Sequence, residues 1–152
     1  MSKYSLVLAA IALVAAPASA QDNGGRANFG ILTTTNIWAG AYTEEQAAQG
    51  RRFYAAACSD CHGEELEGDP GDGFPALAAP IFMTEWDGQT MADLVRHIHT
   101  TLNDSPGDMD PATAVALAAF ILNQNGVPSG TTPLSTDAKE QAKILFTKDK
   151  PK

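Results

Sequence analysis

Cysteine, basic residues and long apolar runs are all scarce in this chain, and each scarcity removes a class of function. Only two cysteines occur, Cys58 and Cys61. Three positions apart, they would close too small a loop to stabilise a fold as a disulfide, so they point to chemistry rather than cross-linking. Lys and Arg total 10 against 18 Asp and Glu, a balance that disfavours nucleic acid and anionic lipid as partners. An acidic surface suits instead a basic patch on another protein, an attraction that salt weakens. No apolar run reaches the ~20 residues that a membrane span needs. No internal repeat is visible and no strand-like alternation extends beyond short runs, which leaves an all-α class.

The first twenty residues read as a secretory signal peptide. Lys3 supplies the positive start, residues 6–16 the apolar run, and Ala18-Ser19-Ala20 the small-residue cleavage site. Cleavage after Ala20 gives a periplasmic protein beginning at Gln21, with no membrane span in the mature chain; an uncleaved N-terminal anchor is the alternative. What remains suits one compact domain. The expected order is an extended arm over residues 21–42, anchored by Trp38 and Tyr42, a domain over 43–130, and a tail over 131–152 that can form a short helix.

Within the domain, Thr43 and Gln46 form a capping-box signature, and Ala47, Gly50, Phe53, Tyr54 and Ala57 then recur on one helical face. Gly50 in mid-helix costs roughly 1 kcal/mol against Ala, which implies that another backbone passes close there. The stretch 63–80, rich in Gly, Pro and acids, reads as an irregular loop with Leu66, Phe74 and Leu77 buried. A second helix is expected over about 90–102, capped by Thr90 and buried through Met91, Leu94, Val95, Ile98 and Leu102. A third starts at Asp110-Pro111, runs through VALAAFIL and stops at Asn125-Gly126 before Pro128. A weaker helical pattern spans about 137–146.

The chemistry is concentrated in Cys58-Ser59-Asp60-Cys61-His62, the attachment signature of a c-type haem. Two thiols at this spacing can bond to both vinyl groups along one porphyrin edge. His62, the next residue, is then placed to bind the iron from the proximal side. A CxxC pair has two other uses. A zinc site needs a distant His or carboxylate to complete four ligands, since no further cysteine exists. A thiol oxidoreductase needs a strand-helix context that is missing here.

From about Tyr42 to Gly130 the chain resembles the class I cytochrome c family: Gly50 and an aromatic ahead of CSDCH, GFPAL after it, and a last helix carrying Phe120. Within that family WAGAYTEEQAAQG and NGVPSG are similar to the small cytochromes that serve quinoprotein dehydrogenases. The resemblance implies a cytochrome c fold in which the N- and C-terminal helices cross over one covalently bound haem, with Gly50 beside Phe120. It further implies that the Pro75 carbonyl accepts a hydrogen bond from the second ring nitrogen of His62, which fixes the ring and raises its basicity. Trp86 is placed either to donate its N–H to a haem propionate or to form the rim.

The sixth iron position stays open among several candidates. Met109 lies in the right region and would raise the potential as a thioether ligand. It also directly precedes the Asp110 cap, where a hydrophobic staple belongs, while the place of the family methionine falls on Leu102-Asn103. His99, or less favourably His97, offers an imidazole; each reads equally as a solvated helix-end histidine. The leading function is an electron carrier, not an enzyme, with protein redox partners: a periplasmic dehydrogenase on one side and an oxidase or another cytochrome on the other. The alternative is a five-coordinate haem protein that binds a small gas or peroxide. A subunit of a larger dehydrogenase is a third reading.

Overall fold

Three helices carry the architecture, and each starts where a side chain caps it. The structure is a computed structural model that describes residues 35–101 and 109–152; the expected leader, the expected arm up to residue 34 and the segment 102–108 lie outside the described residues. Helix α1 (Glu44–Ala57) opens with the reciprocal Thr43–Gln46 box, with Glu44 and Glu45 in its first turn. The Gln46 backbone donates to Thr43 Oγ1 at 3.3 Å and the Thr43 backbone to Gln46 Oε1 at 3.1 Å. Both satisfy donors that a helix start leaves free, and the two carboxylates suit the positive end of its dipole.

The same device opens α4 (Met91–Thr101). Thr90 donates to the Asp93 carboxylate through both its backbone and its hydroxyl, at 3.0 and 2.7 Å, and accepts from the Asp93 backbone at 3.3 Å. Hydrogen bonds from Thr90, outweighing partial burial and aided by Arg96, hold the Asp93 carboxyl below the usual range. Helix α5 (Pro111–Gln124) has Asp110 as its cap and Pro111 at its first position. Three short helices, α2 (Ser59–His62), α3 (Ile81–Glu85) and α6 (Ala138–Gln141), and a 3-10 turn at Ile37–Ala39 complete the helical set among the described residues.

Helix α5 is the axis of the core. Every residue from Ala114 to Leu122 is buried, as expected of a helix that is apolar all round. Helix α1 packs along it on one side and α4 on another. The contact with α1 closes at Gly50, where a built Cβ would overlap the Ala116 carbonyl and lie 2.8 Å from Phe120 Cβ. The close approach expected of Gly50 is therefore a backbone-to-backbone one.

Two features depart from the sequence reading. Strand β1 (Thr35–Asn36) pairs in parallel with β2 (Ile144–Leu145), in the register Thr35 to Ile144 and Asn36 to Leu145. The helical pattern expected over 137–146 ends at Gln141, because Ile144 and Leu145 extend to make that pair. Gln141 is buried and its amide donates to the Ser135 carbonyl at 2.7 Å. Arm and tail are fastened elsewhere too: Trp38 Nε1 donates to the Thr147 carbonyl at 2.9 Å, and the buried Tyr42 hydroxyl to the Val127 carbonyl at 2.5 Å. Gln46 bridges both backbone groups of Leu134, at 2.8 and 2.9 Å.

Candidate functional site

Helix α1 ends at Ala57 because the chain must turn to present the cysteine pair. Cys58 donates its backbone N–H to the Tyr54 carbonyl at 2.8 Å, and the short α2 turn carries Cys61 and His62 onto the wall of a cleft of about 860 Å³. Cys58 is half-buried and Cys61 exposed, both as free thiols. Burial, with Cys61 adding to it, pushes the Cys58 thiol above its ordinary value. Redox-active dithiols show the opposite shift. No group of three or more His, Cys, Asp or Glu among the described residues assembles into a metal-holding cluster, so the zinc alternative finds no complement of ligands.

The loop after the motif fixes the imidazole. His62 Nδ1 lies 2.9 Å from the Pro75 carbonyl oxygen, which leaves Nε2 as the nitrogen available to a metal. Pro75 is held there by its neighbours. Gly68 (φ +68°) donates to the His62 carbonyl at 2.8 Å and passes so near Pro75 that a Cβ would lie 2.6 Å from the Pro75 carbonyl carbon. Asp69 and Phe74 exchange both backbone hydrogen bonds, at 2.9 and 2.8 Å, and Leu77 donates to the Leu66 carbonyl at 2.8 Å. Leu66 takes a left-handed conformation (φ +62°) with its side chain fully buried. A non-glycine residue there carries strain that the surrounding loop must hold.

Tyr54, expected from the sequence only as part of the apolar face of α1, ties these parts together. It lines the cleft, donates its hydroxyl to the Gly63 carbonyl at 2.6 Å, and packs on Phe120 with ring centroids 5.0 Å apart. Burial, with Cys58 and Glu67 contributing, pushes its pKa up to about 12, so it stays a neutral donor. Its place four residues before Cys58 on a helix was the available signal.

The remaining wall is mostly apolar: Leu77, Phe82, Leu94, Ile98, Leu117 and Ile121 all face the cleft. Phe74, expected to be buried, is 36% exposed and sits edge-on to His62 at 6.2 Å. Its apolar face is turned to the cleft, so protein packing alone does not cover it. Trp86 is half-buried and also lines the cleft, between Phe82 and His97. Neither Met109 nor His99 is among the described residues that line it. Met109 is half-buried against the core, and Leu102-Asn103 lies outside the described residues. Of the α4 histidines, His97 rather than His99 reaches the cleft.

An apolar cleft of this volume is within the range of cofactor sites. One wall offers two thiols to attach a porphyrin edge and one oriented imidazole to reach its metal, so the residues present fit a covalently held haem. Fold and site together define a c-type cytochrome of class I. Comparison with known proteins carries this further: the family described as cytochrome c oxidase, cbb3-type, subunit III matches residues 45–121, half of the chain, and the chain belongs to that family. A cbb3-type cytochrome c oxidase subunit FixP of Bradyrhizobium sp. (strain ORS 278) is 28% identical over 81 residues, covering 53% of this chain. The chain spans only 28% of the length of that relative. No solved structure matches the chain.

Proposed function

We propose that this protein is an exported electron carrier holding a single haem c, and that it passes electrons one at a time between periplasmic redox proteins. In this reading residues 1–20 are a cleaved leader, residues 21–42 an arm, 43–130 the haem domain and 131–152 a tail that clamps the arm. Cys58 and Cys61 hold the haem, His62 is its proximal ligand, and α1 and α5 cross over it. The observation that carries the reading is the 2.9 Å contact between His62 Nδ1 and the Pro75 carbonyl at the wall of an apolar cleft. It orients an imidazole that follows two thiols spaced for one porphyrin edge.

Bound there, the haem supplies reversible one-electron chemistry. The chain's own residues attach it, keep the imidazole basic through Pro75, and exclude water with an apolar wall. Trp86, on the cleft wall, serves a propionate. No acid-base pair or nucleophile is needed for that task, so the protein is a carrier and not a catalyst. Its partners are a dehydrogenase as donor and a terminal oxidase or further cytochrome as acceptor. The family match to an oxidase subunit supports the acceptor side. No helix among the described residues is long and apolar enough to cross a membrane.

A potentiometric titration of the holoprotein tests this. A single Nernstian wave of one electron per chain, with no consumption of added peroxide by the reduced form, is expected. Catalytic peroxide turnover, or more than one electron per chain, contradicts it.

A further inference from the structure

The Cys58–His62 turn and α4 both line the cleft, α2 packing on α1 and α4 on α5. Helical spacing decides which α4 side chains point inward. Leu94, His97, Ile98 and Thr101 line the cleft, and steps of three and four residues place them on one face. His99, two positions beyond His97, is rotated roughly 200° from it at 3.6 residues per turn, and it does not line the cleft. Met109 is turned to the core.

Among the described residues lining the cleft, His97 is therefore the one imidazole or thioether besides His62. Its ring stands edge-on to Trp86, with centroids 5.4 Å apart and planes at 64°. That contact positions the ring without using its nitrogens, and neither nitrogen has a hydrogen-bond partner among the described residues. The edge contact with Trp86 thus sets an exposed imidazole at the cleft with both nitrogens unoccupied by the described residues, open to a group bound there.

We infer that His97 is the second axial ligand of the iron, giving a centre with two imidazoles rather than an imidazole and a thioether. This inference rests on the haem reading above. It makes the protein a lower-potential carrier than a methionine-ligated one, because a thioether favours the reduced state. It also closes the iron to small gases, which sets it against the five-coordinate alternative.

The test uses holoprotein matured in a cytochrome-assembling host: wild type, His97→Ala, His99→Ala and Met109→Ala, compared by absorption and low-temperature electron paramagnetic resonance. The ferric wild type is expected to be low-spin, with no far-red sulfur-to-iron absorption and no rapid reaction of its ferrous form with carbon monoxide. His97→Ala is expected to lose the low-spin signal, bind carbon monoxide on mixing, and regain the original spectrum when imidazole is added. His97 is exposed, so its removal leaves the core in place, and recovery with imidazole shows that the variant is folded. His99→Ala and Met109→Ala should match the wild type. An unchanged His97→Ala spectrum, a far-red absorption lost in Met109→Ala, or a wild type that is already high-spin overturns the inference. Failure of the underlying haem reading looks different: the wild type itself is colourless, or releases its pigment into acid acetone.

Discussion

The seam between α1 and α5 and the wall of the cleft are both apolar, but they finish their packing in different ways. At the seam, Gly50 meets the Ala116 backbone so closely that not even a methyl group fits, and protein atoms satisfy protein atoms. At the cleft, Phe74 remains 36% exposed, Cys61 is open, and His97 has no nitrogen partner among the described residues. The difference teaches that an apolar residue can be placed for a partner other than the polypeptide. Protein interiors are close-packed, so a wall of leucine, isoleucine and phenylalanine around an open volume of about 860 Å³ is the imprint of a ligand rather than a packing fault.

Substitutions in the holoprotein can break or sharpen this contrast. The largest effect is expected at the seam. Gly50→Val drives two extra methyl groups and a Cβ into the Ala116 carbonyl and should lower stability by about 3 kcal/mol, read from the denaturant midpoint. A cost below about 1 kcal/mol would mean the two helices can part without penalty. Next is Tyr42→Phe, which leaves the Val127 carbonyl without its hydroxyl donor; about 2 kcal/mol should be lost in the same assay. The two exposed large apolar residues among the described ones then form a matched pair. Phe74 lines the cleft and Ile81, 55% exposed, does not. On the proposal that a haem fills the cleft and covers that ring, Phe74→Ala should cost about 1.5 kcal/mol, whereas Ile81→Ala should stay within about 0.5 kcal/mol. Equal effects would remove the evidence that Phe74 serves the cofactor.

Thr43→Ala removes half of the α1 box and should cost about 1 kcal/mol. The smallest effect is expected from Asp93→Asn at the start of α4. The folded Asp93 carboxyl titrates below its unfolded value, so its contribution is fully present above the ordinary carboxylate range and is lost as pH falls through that range towards the folded value. The variant should therefore be less stable than wild type at neutral pH and converge with it in acid. A gap that widens in acid would reverse the assignment.

Much of this was legible in the residues. Both box-capped helices and the Asp110-Pro111 start follow from side chains that reach only their own first turn, so local sequence suffices. Gly50 announced a close approach because mid-helix glycine has no other local reason. The β1–β2 pair was not legible: two residues at each end of the domain carry no alternation, and only the folded chain brings them together. Helix α3 is too short for a period to show. Phe74 was read as buried because an aromatic in a loop ordinarily meets protein. His97 and His99 both sit near a helix end, and the stripe of Leu94 and Ile98 that selects His97 becomes decisive once the cleft is known to lie on that side.

The central claim is that Cys58 and Cys61 are bonded to the haem whose iron His62 binds. Acid acetone extraction of the holoprotein, followed by intact mass measurement of the precipitated chain, tests it directly. The account predicts a coloured pellet whose mass exceeds the polypeptide by one haem, and a Cys58→Ala, Cys61→Ala variant that gives a pale pellet at the bare polypeptide mass. Wild-type chain at the bare mass, with all the pigment in the supernatant, would contradict it.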